Sequence, residues 1–184
     1  MKRSVMLTGA PVTGKSTITR SLRGESGFVP FPDYTTRPIR SDEIDGVDKT
    51  FVSREAFVEL HNTGKIIEPT LEYCDYQGNY YGSPTEWLST EELGEQKVIT
   101  CVAVKIAGLI RRANPDLIWV HLEADDTERA QRLALRGITQ AEVTRRIANI
   151  GGDSLLRPVE SDLIINTSQT PLDATVGLIL GATE

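Results

Sequence analysis

Near the N-terminus the chain reads Gly9-Ala10-Pro11-Val12-Thr13-Gly14-Lys15-Ser16, and this segment constrains its folding more than any other. The order is glycine, four residues, glycine, lysine, and serine or threonine, the pattern of a phosphate-binding loop. Ser4 to Thr8 before it is a short, largely apolar run, and Lys15 to about Arg23 after it is a helix candidate. Strand, loop and helix in that order open an α/β fold built on a parallel sheet. Glycines let successive amides curl toward phosphate oxygens, and the following helix presents its unpaired N-terminal donors to the same charge. Gly9, Pro11, Thr13, Gly14, Lys15, Ser16 and Thr17 are therefore the candidate donor-nucleotide residues. Lys15 would bridge the β and γ phosphates and Ser16 would place its hydroxyl on Mg²⁺, so ATP and Mg²⁺ are the expected cofactors. The motif specifies a donor and leaves the acceptor open. No Asn-Lys-x-Asp or sheet-end Asp-x-x-Gly is present, which favours a small kinase over a regulatory GTP hydrolase.

The remaining pattern alternates strands and helices. Phe28 to Phe31, Val98 to Val104, Leu117 to Leu122 and Leu163 to Ile165 read as strands, the second almost continuously apolar as in a sheet covered on both faces. Helices are expected after Ser53, which can cap one, over Pro84 to Leu93, from about Ile106, over Asp126 to Arg136, from a Thr139 cap to Ile150 with Glu142 completing a possible capping box, and over Leu172 to Leu180. Lys65 to Gly82, around Gly78-Asn79, suggests a small antiparallel element, and Asp42 to Asp48 an exposed loop. The result is a doubly wound parallel sheet with helices on both faces and an insertion between its second and third main strands. At 184 residues it is one domain. Two excursions, around residues 33 to 83 and 132 to 146, are expected on a rigid core.

A formal charge of −6 argues against a protein that wraps nucleic acid, while local basic patches can still hold a compact phosphate. The expected partner is a small-molecule nucleotide, with no nucleic acid and no membrane; oligomeric state stays open. No apolar run is long enough to cross a bilayer, and no signal peptide is evident, so a cytoplasmic location is the default expectation. Cys74 and Cys101 form no metal-ligand spacing; Cys101 reads as a small hydrophobe in a strand, and His61 and His121 as surface or strand-end residues.

Arg37 and Arg40 stand three apart in Thr35-Thr36-Arg37-Pro38-Ile39-Arg40, a stiffened loop suited to forked hydrogen bonds to phosphate. Tyr80-Tyr81-Gly82-Ser83 adds hydroxyl donors and Glu68 a carboxylate able to accept two N–H bonds. Taken with the phosphate loop, Glu43 to Gly46, Asp48 to Phe51, Arg132-Leu133, Arg136-Gly137 and Asn166, these stretches resemble the guanylate kinase family over nearly the whole chain. The resemblance implies phosphoryl transfer from ATP to GMP or dGMP within one P-loop domain over residues 1 to 184, with an acceptor-binding insertion over 33 to 83 and a helical lid over 126 to 150. It implies that Arg37, Arg40 and Tyr81 hold the acceptor phosphate and that Glu68 and Ser83 read the guanine edge. It further implies that Arg132, Arg136 and Arg146 close over the donor phosphates, with Asn166 near the adenine. Glu128 and Arg132 are also an i,i+4 pair, which would hold rather than free that arginine.

Three positions depart from the family pattern. Asp33 stands where a serine is usual, Lys49 where a tyrosine contacts acceptor phosphate, and Val98 to Val104 carries no acid where paired aspartates are expected. The loop between Glu68 and Gly78, with Glu72, Cys74 and Asp75, is about two residues longer than usual. Glu68 alone would suffice for a divergent guanylate kinase. Glu72 or Asp75 would read a different or modified nucleotide, and Asp33 would bind or deprotonate a hydroxyl acceptor. Asp33 paired with Arg37 or Lys49 would be structural. A phosphate-recognising module without catalysis is less favoured, because it has no chemical need for Lys15 and Ser16.

Overall fold

A computed structural model describes residues 3–67, 78–89, 96–148 and 158–184. β1 (Val5–Gly9) is the centre of a parallel sheet, flanked by β6 (Val98–Cys101) and β7 (Ile118–Glu123), with β2 (Val29–Pro30) and β8 (Leu163–Asn166) outside them in the order β2-β6-β1-β7-β8. Both faces of β1 are covered. Val5 and Leu7 pack with Ile18 and Leu22 of α1 (Lys15–Ser26) and Val176 and Ile179 of α6 (Leu172–Thr183). Met6 points the other way, onto Ile106 and Ile110 of α3 (Val104–Ala113), Trp87 and Trp119. This alternation is the period-2 geometry of a strand buried twice.

Several boundaries moved for identifiable reasons. The last bond of the β1–β6 ladder runs from the Val102 amide to the Leu7 carbonyl at 3.0 Å, and α3 then begins at Val104 rather than near Ile106, so β6 is shorter than the apolar run. The helix expected over Pro84 to Leu93 is a 3-10 turn over Thr85–Leu88, with Trp87 buried; residues 90–95 lie outside the described residues. His121 is not a surface residue: it is buried within β7, its Nδ1 2.9 Å from the Thr8 hydroxyl. Among the described residues no helix is long and apolar enough to cross a membrane.

The insertion between β2 and β6 forms a second, three-stranded sheet in which β3 (Tyr34–Thr35) lies between β4 (Thr50–Phe51) and β5 (Tyr81–Gly82). α2 (Arg54–Asn62) crosses from β4 toward this sheet, capped as expected by Ser53, whose hydroxyl accepts from the Ala56 amide at 3.1 Å. The expected antiparallel element is present in part: β5 pairs antiparallel with β3, and Ile66 forms an antiparallel bridge with Pro84. The segment from Asp42 to Asp48 is exposed as expected at Asp42, Ile44, Asp45 and Gly46, but the Asp48 side chain is 2% exposed and accepts from the Ile44 amide at 3.0 Å.

Candidate active site

The phosphate loop leaves β1 through two glycines with positive φ. At Gly9, φ is 136° and a Cβ would meet the Leu122 carbonyl oxygen at 2.2 Å, so the neighbouring strand excludes any side chain. At Gly14, φ is 94° and the residue caps the N-terminus of α1, aiming the helix's unpaired amides back over the loop. Ser16 and Thr17 are exposed on the first turn, and Thr13 is buried with its hydroxyl donating to the Ala10 carbonyl at 3.0 Å. Lys15 curls over the loop, its ammonium donating to the carbonyls of Gly9 and Ala10 at 2.7 Å each. Burial, reinforced by Lys49, Arg129 and Arg136 and opposed by Cys101, lowers the Lys15 pKa to about 8.

Val12 has a φ of 60°, the left-handed region that a β-branched side chain rarely occupies. Its carbonyl accepts from Arg132 Nη1 at 3.2 Å and that of Pro11 from Arg129 Nε at 3.2 Å, so α4 (Asp126–Leu135) holds the strained turn from outside. Such strain costs of order 1–3 kcal/mol, and glycine returns part of it through its more flexible unfolded chain. Val12→Gly is expected to stabilise the unliganded protein by about 1 kcal/mol, seen as a melting temperature about 2–4 °C higher. A lower melting temperature would show that the valine side chain, not the backbone, dominates there.

The arginines of the insertion are already organised. Arg37 makes a fork with Glu43, at 2.7 and 2.5 Å, and the Arg40 amide donates to the same carboxylate at 3.0 Å. Burial works against the Arg37 charge, but Glu43 and Tyr81 outweigh it and raise its pKa. Arg40 keeps a half-exposed head; burial first, then Arg37 and Arg136, lower its pKa. Lys15 and Arg40 both feel the charge of Arg136, so the three cations lie within electrostatic reach of one another.

The three departures from the family pattern meet at one end of the small sheet. The register aligns Tyr34 with Thr50 and with Gly82, so their neighbours Asp33, Lys49 and Ser83 fall together. Lys49 Nζ lies 3.2 Å from Asp33 Oδ2 and 3.5 Å from the Cys101 carbonyl, while the Ser83 hydroxyl donates to Asp33 Oδ1 at 2.7 Å. Burial raises the Asp33 pKa, and Lys49 and Ser83 pull it back only in part. Of the two pairings considered for Asp33, the structure forms the one with Lys49. The Cys101 thiol, 3.5 Å from the Thr19 hydroxyl, occupies the end of the acid-free strand. Glu68, Glu72, Cys74 and Asp75 lie outside the described residues.

On the opposite side, Arg132 is held by Glu128 at 2.8 Å, the Val12 carbonyl, and the hydroxyl and carbonyl of Thr167 at 3.0 Å each. Arg136 is the exposed C-cap of α4 and its charge is felt by Lys15, whereas Arg146 on α5 (Gln140–Ala148) donates to Glu142 at 2.7 Å. Asn166, at the end of β8, donates to Asp125 at 3.1 Å and accepts from the Ser168 amide at 2.9 Å. It lines a cleft of about 200 Å³ with Thr13, His121 and Arg129. Sequence reasoning missed Arg129, which is 2% exposed and ties α4 to the loop. Its signal was its spacing: four residues before the buried Leu133, it lies on the inward stripe of the helix.

The chain resembles known proteins throughout its length. A family profile described as guanylate kinase matches residues 1–174. The guanylate kinase of Streptococcus pneumoniae serotype 4 is 31% identical over 175 residues, 92% of this chain and 81% of that protein. That of Symbiobacterium thermophilum is 35% identical over 147 residues, 78% of this chain and 68% of that protein. Among solved structures, guanylate kinase from Anaplasma phagocytophilum superposes with a TM-score of 0.61 at 20% identity, covering 98% of this chain and 84% of that one. A gluconokinase from Sinorhizobium meliloti 1021 gives 0.56 at 14% identity, covering 99% and 91%, a likeness of fold alone. With the phosphate loop, the parallel sheet and the arginine-bearing insertion in place, the match over residues 1–174 means that the chain belongs to the guanylate kinase family.

Proposed function

We propose that the protein transfers the terminal phosphoryl group of ATP to the phosphate of a nucleoside monophosphate, with GMP or dGMP the first acceptors to test. What supports this reading is the guanylate kinase profile over residues 1–174, together with a phosphate loop at which Lys15 feels the charge of Arg136, as does Arg40 of the insertion beside Arg37. Two phosphate-bearing substrates meeting there bring several negative charges together, and fixed cations oppose that repulsion in the transition state. Phosphoryl transfer needs no protein nucleophile, so the chain's task is to position and to neutralise. Lys15 would exchange its two carbonyl partners for donor phosphate oxygens. Arg37, already locked by Glu43, would offer a preset donor to the acceptor phosphate, with Arg40 and Tyr81 beside it.

The engagement of both Asp33 oxygens supports a phosphate-bearing acceptor over a hydroxyl one, since a general base needs a free oxygen facing its substrate. Among the described residues no group of three acids, histidines or cysteines could hold a metal by itself. The exposed Ser16 hydroxyl fits a Mg²⁺ ion that takes its other ligands from phosphate oxygens and water. When bound, that ion would shield charge on the donor phosphates. A coupled assay of ADP release over GMP, dGMP, the other nucleoside monophosphates and the corresponding nucleosides tests the reading. Turnover with a nucleotide and none with nucleosides is expected; turnover with a nucleoside alone would replace it with the hydroxyl reaction.

A further inference from the structure

We propose that Arg20 and Asp48 form a latch that positions the acceptor segment on the donor helix and sets how tightly the acceptor is held. The functional half of this inference rests on the reading above; the latch itself rests on geometry. Arg20 lies four residues after Ser16 on α1, so both project from one face of the helix that begins at the phosphate loop. Its Nη2 donates to the Asp42 carbonyl at 2.6 Å and to Asp48 Oδ1 at 2.9 Å. The other Asp48 oxygen accepts from the Ile44 amide at 3.0 Å, and the Gly46 amide donates to the Lys49 carbonyl at 2.9 Å, so the turn from residue 44 to 49 closes on one carboxylate.

That carboxylate is 2% exposed, while the arginine that neutralises it is 39% exposed. A buried acid deprived of its cation must be rehydrated, and here rehydration means opening the turn. The turn carries the acceptor machinery at both ends. Glu43, which holds Arg37 and Arg40, precedes Ile44, and Lys49, which reaches Asp33 and the Cys101 carbonyl, follows Asp48 directly. Arg20 is thus a positioning residue, acting on the acceptor through Asp48.

Two measurements on the full chain test this with Arg20→Ala, Arg20→Lys and Asp48→Asn. In the free protein, amide hydrogen exchange over residues 44–50 is expected to quicken about tenfold in Arg20→Ala and Asp48→Asn, with β1 and α1 unchanged. In the kinase assay the acceptor KM is expected to rise about tenfold, with kcat and the KM for ATP within about twofold, and Arg20→Lys to recover part of the loss. Unchanged exchange in the turn overturns the latch. Quicker exchange with an unchanged acceptor KM, or with both KM values rising together, overturns its role in acceptor binding. Should the wild-type protein phosphorylate no nucleotide, the functional reading fails, and the exchange measurement still decides on the latch.

Discussion

Lys15→Ala is expected to lower turnover about 10³-fold and to weaken ATP binding, with little loss of stability. The lysine donates to two loop carbonyls at 2.7 Å, and removing a cation that burial already disfavours offsets the loss of those bonds. What cannot be replaced is a cation desolvated beside the donor phosphates. Its pKa of about 8 gives the same prediction a second arm. ATP binding favours the charged lysine, so affinity should be flat below about pH 8 and fall by up to tenfold per pH unit above it. Stability of the unliganded protein should run the other way. Between about 8 and the ordinary lysine value of 10.5 the folded state binds fewer protons than the unfolded one, so this group's contribution rises with pH across that window. Calorimetric titration of ATP from pH 7 to 9.5 reads the first trend and denaturant unfolding the second. Full turnover in Lys15→Ala would remove the phosphate loop from the mechanism.

Asp33→Ala is expected to be the most destabilising single change in the acceptor segment, by about 2–4 kcal/mol. It strands the Lys49 ammonium, 19% exposed, and leaves the Ser83 hydroxyl, in a residue 1% exposed, without its acceptor. The upper end of the usual range for broken buried pairs is discounted because Lys49 retains some access to water. Lys49→Met should cost less. Burial already raises the Asp33 pKa, so a carboxyl that loses its lysine can take up a proton and shed its charge. Asp33→Asn, which keeps a partner for Ser83, should fall between the two. Asp33→Ala combined with Lys49→Met should recover much of the loss. Urea unfolding of the four variants checks the order. If Asp33→Ala lies within about 0.5 kcal/mol of wild type, the pair contributes nothing to the fold and Asp33 becomes a candidate for substrate chemistry instead.

How far this site could be read in advance varied with the range of the interactions. The phosphate loop was legible because its chemistry is local: two glycines, a lysine and a serine at set spacing need only a strand before and a helix after. α4 was legible as a charged helix, but not which of its arginines point inward. Arg129 became buried against the Pro11 carbonyl only because α4 packs beside the loop. His121 was misplaced because one polar residue in an apolar strand looks like an end; its partner, Thr8, is 113 residues away. Within the exposed loop from Asp42 to Asp48, the covered side chain of Asp48 is not legible because its arginine lies on α1, 28 residues earlier.

The phosphate-loop motif and the architecture are legible in the order of residues alone. The phosphate loop, the apolar runs that make a doubly covered parallel sheet and the insertion between its second and third strands all follow from patterns within ten or twenty residues. Only the tertiary structure decided what the acceptor-side departures mean. Asp33 had two conceivable partners, Arg37 and Lys49; strand register brings in Lys49 from 16 residues away and adds Ser83 from 50. A charge becomes structural or chemical according to what desolvates and faces it, and that is settled when distant segments pack.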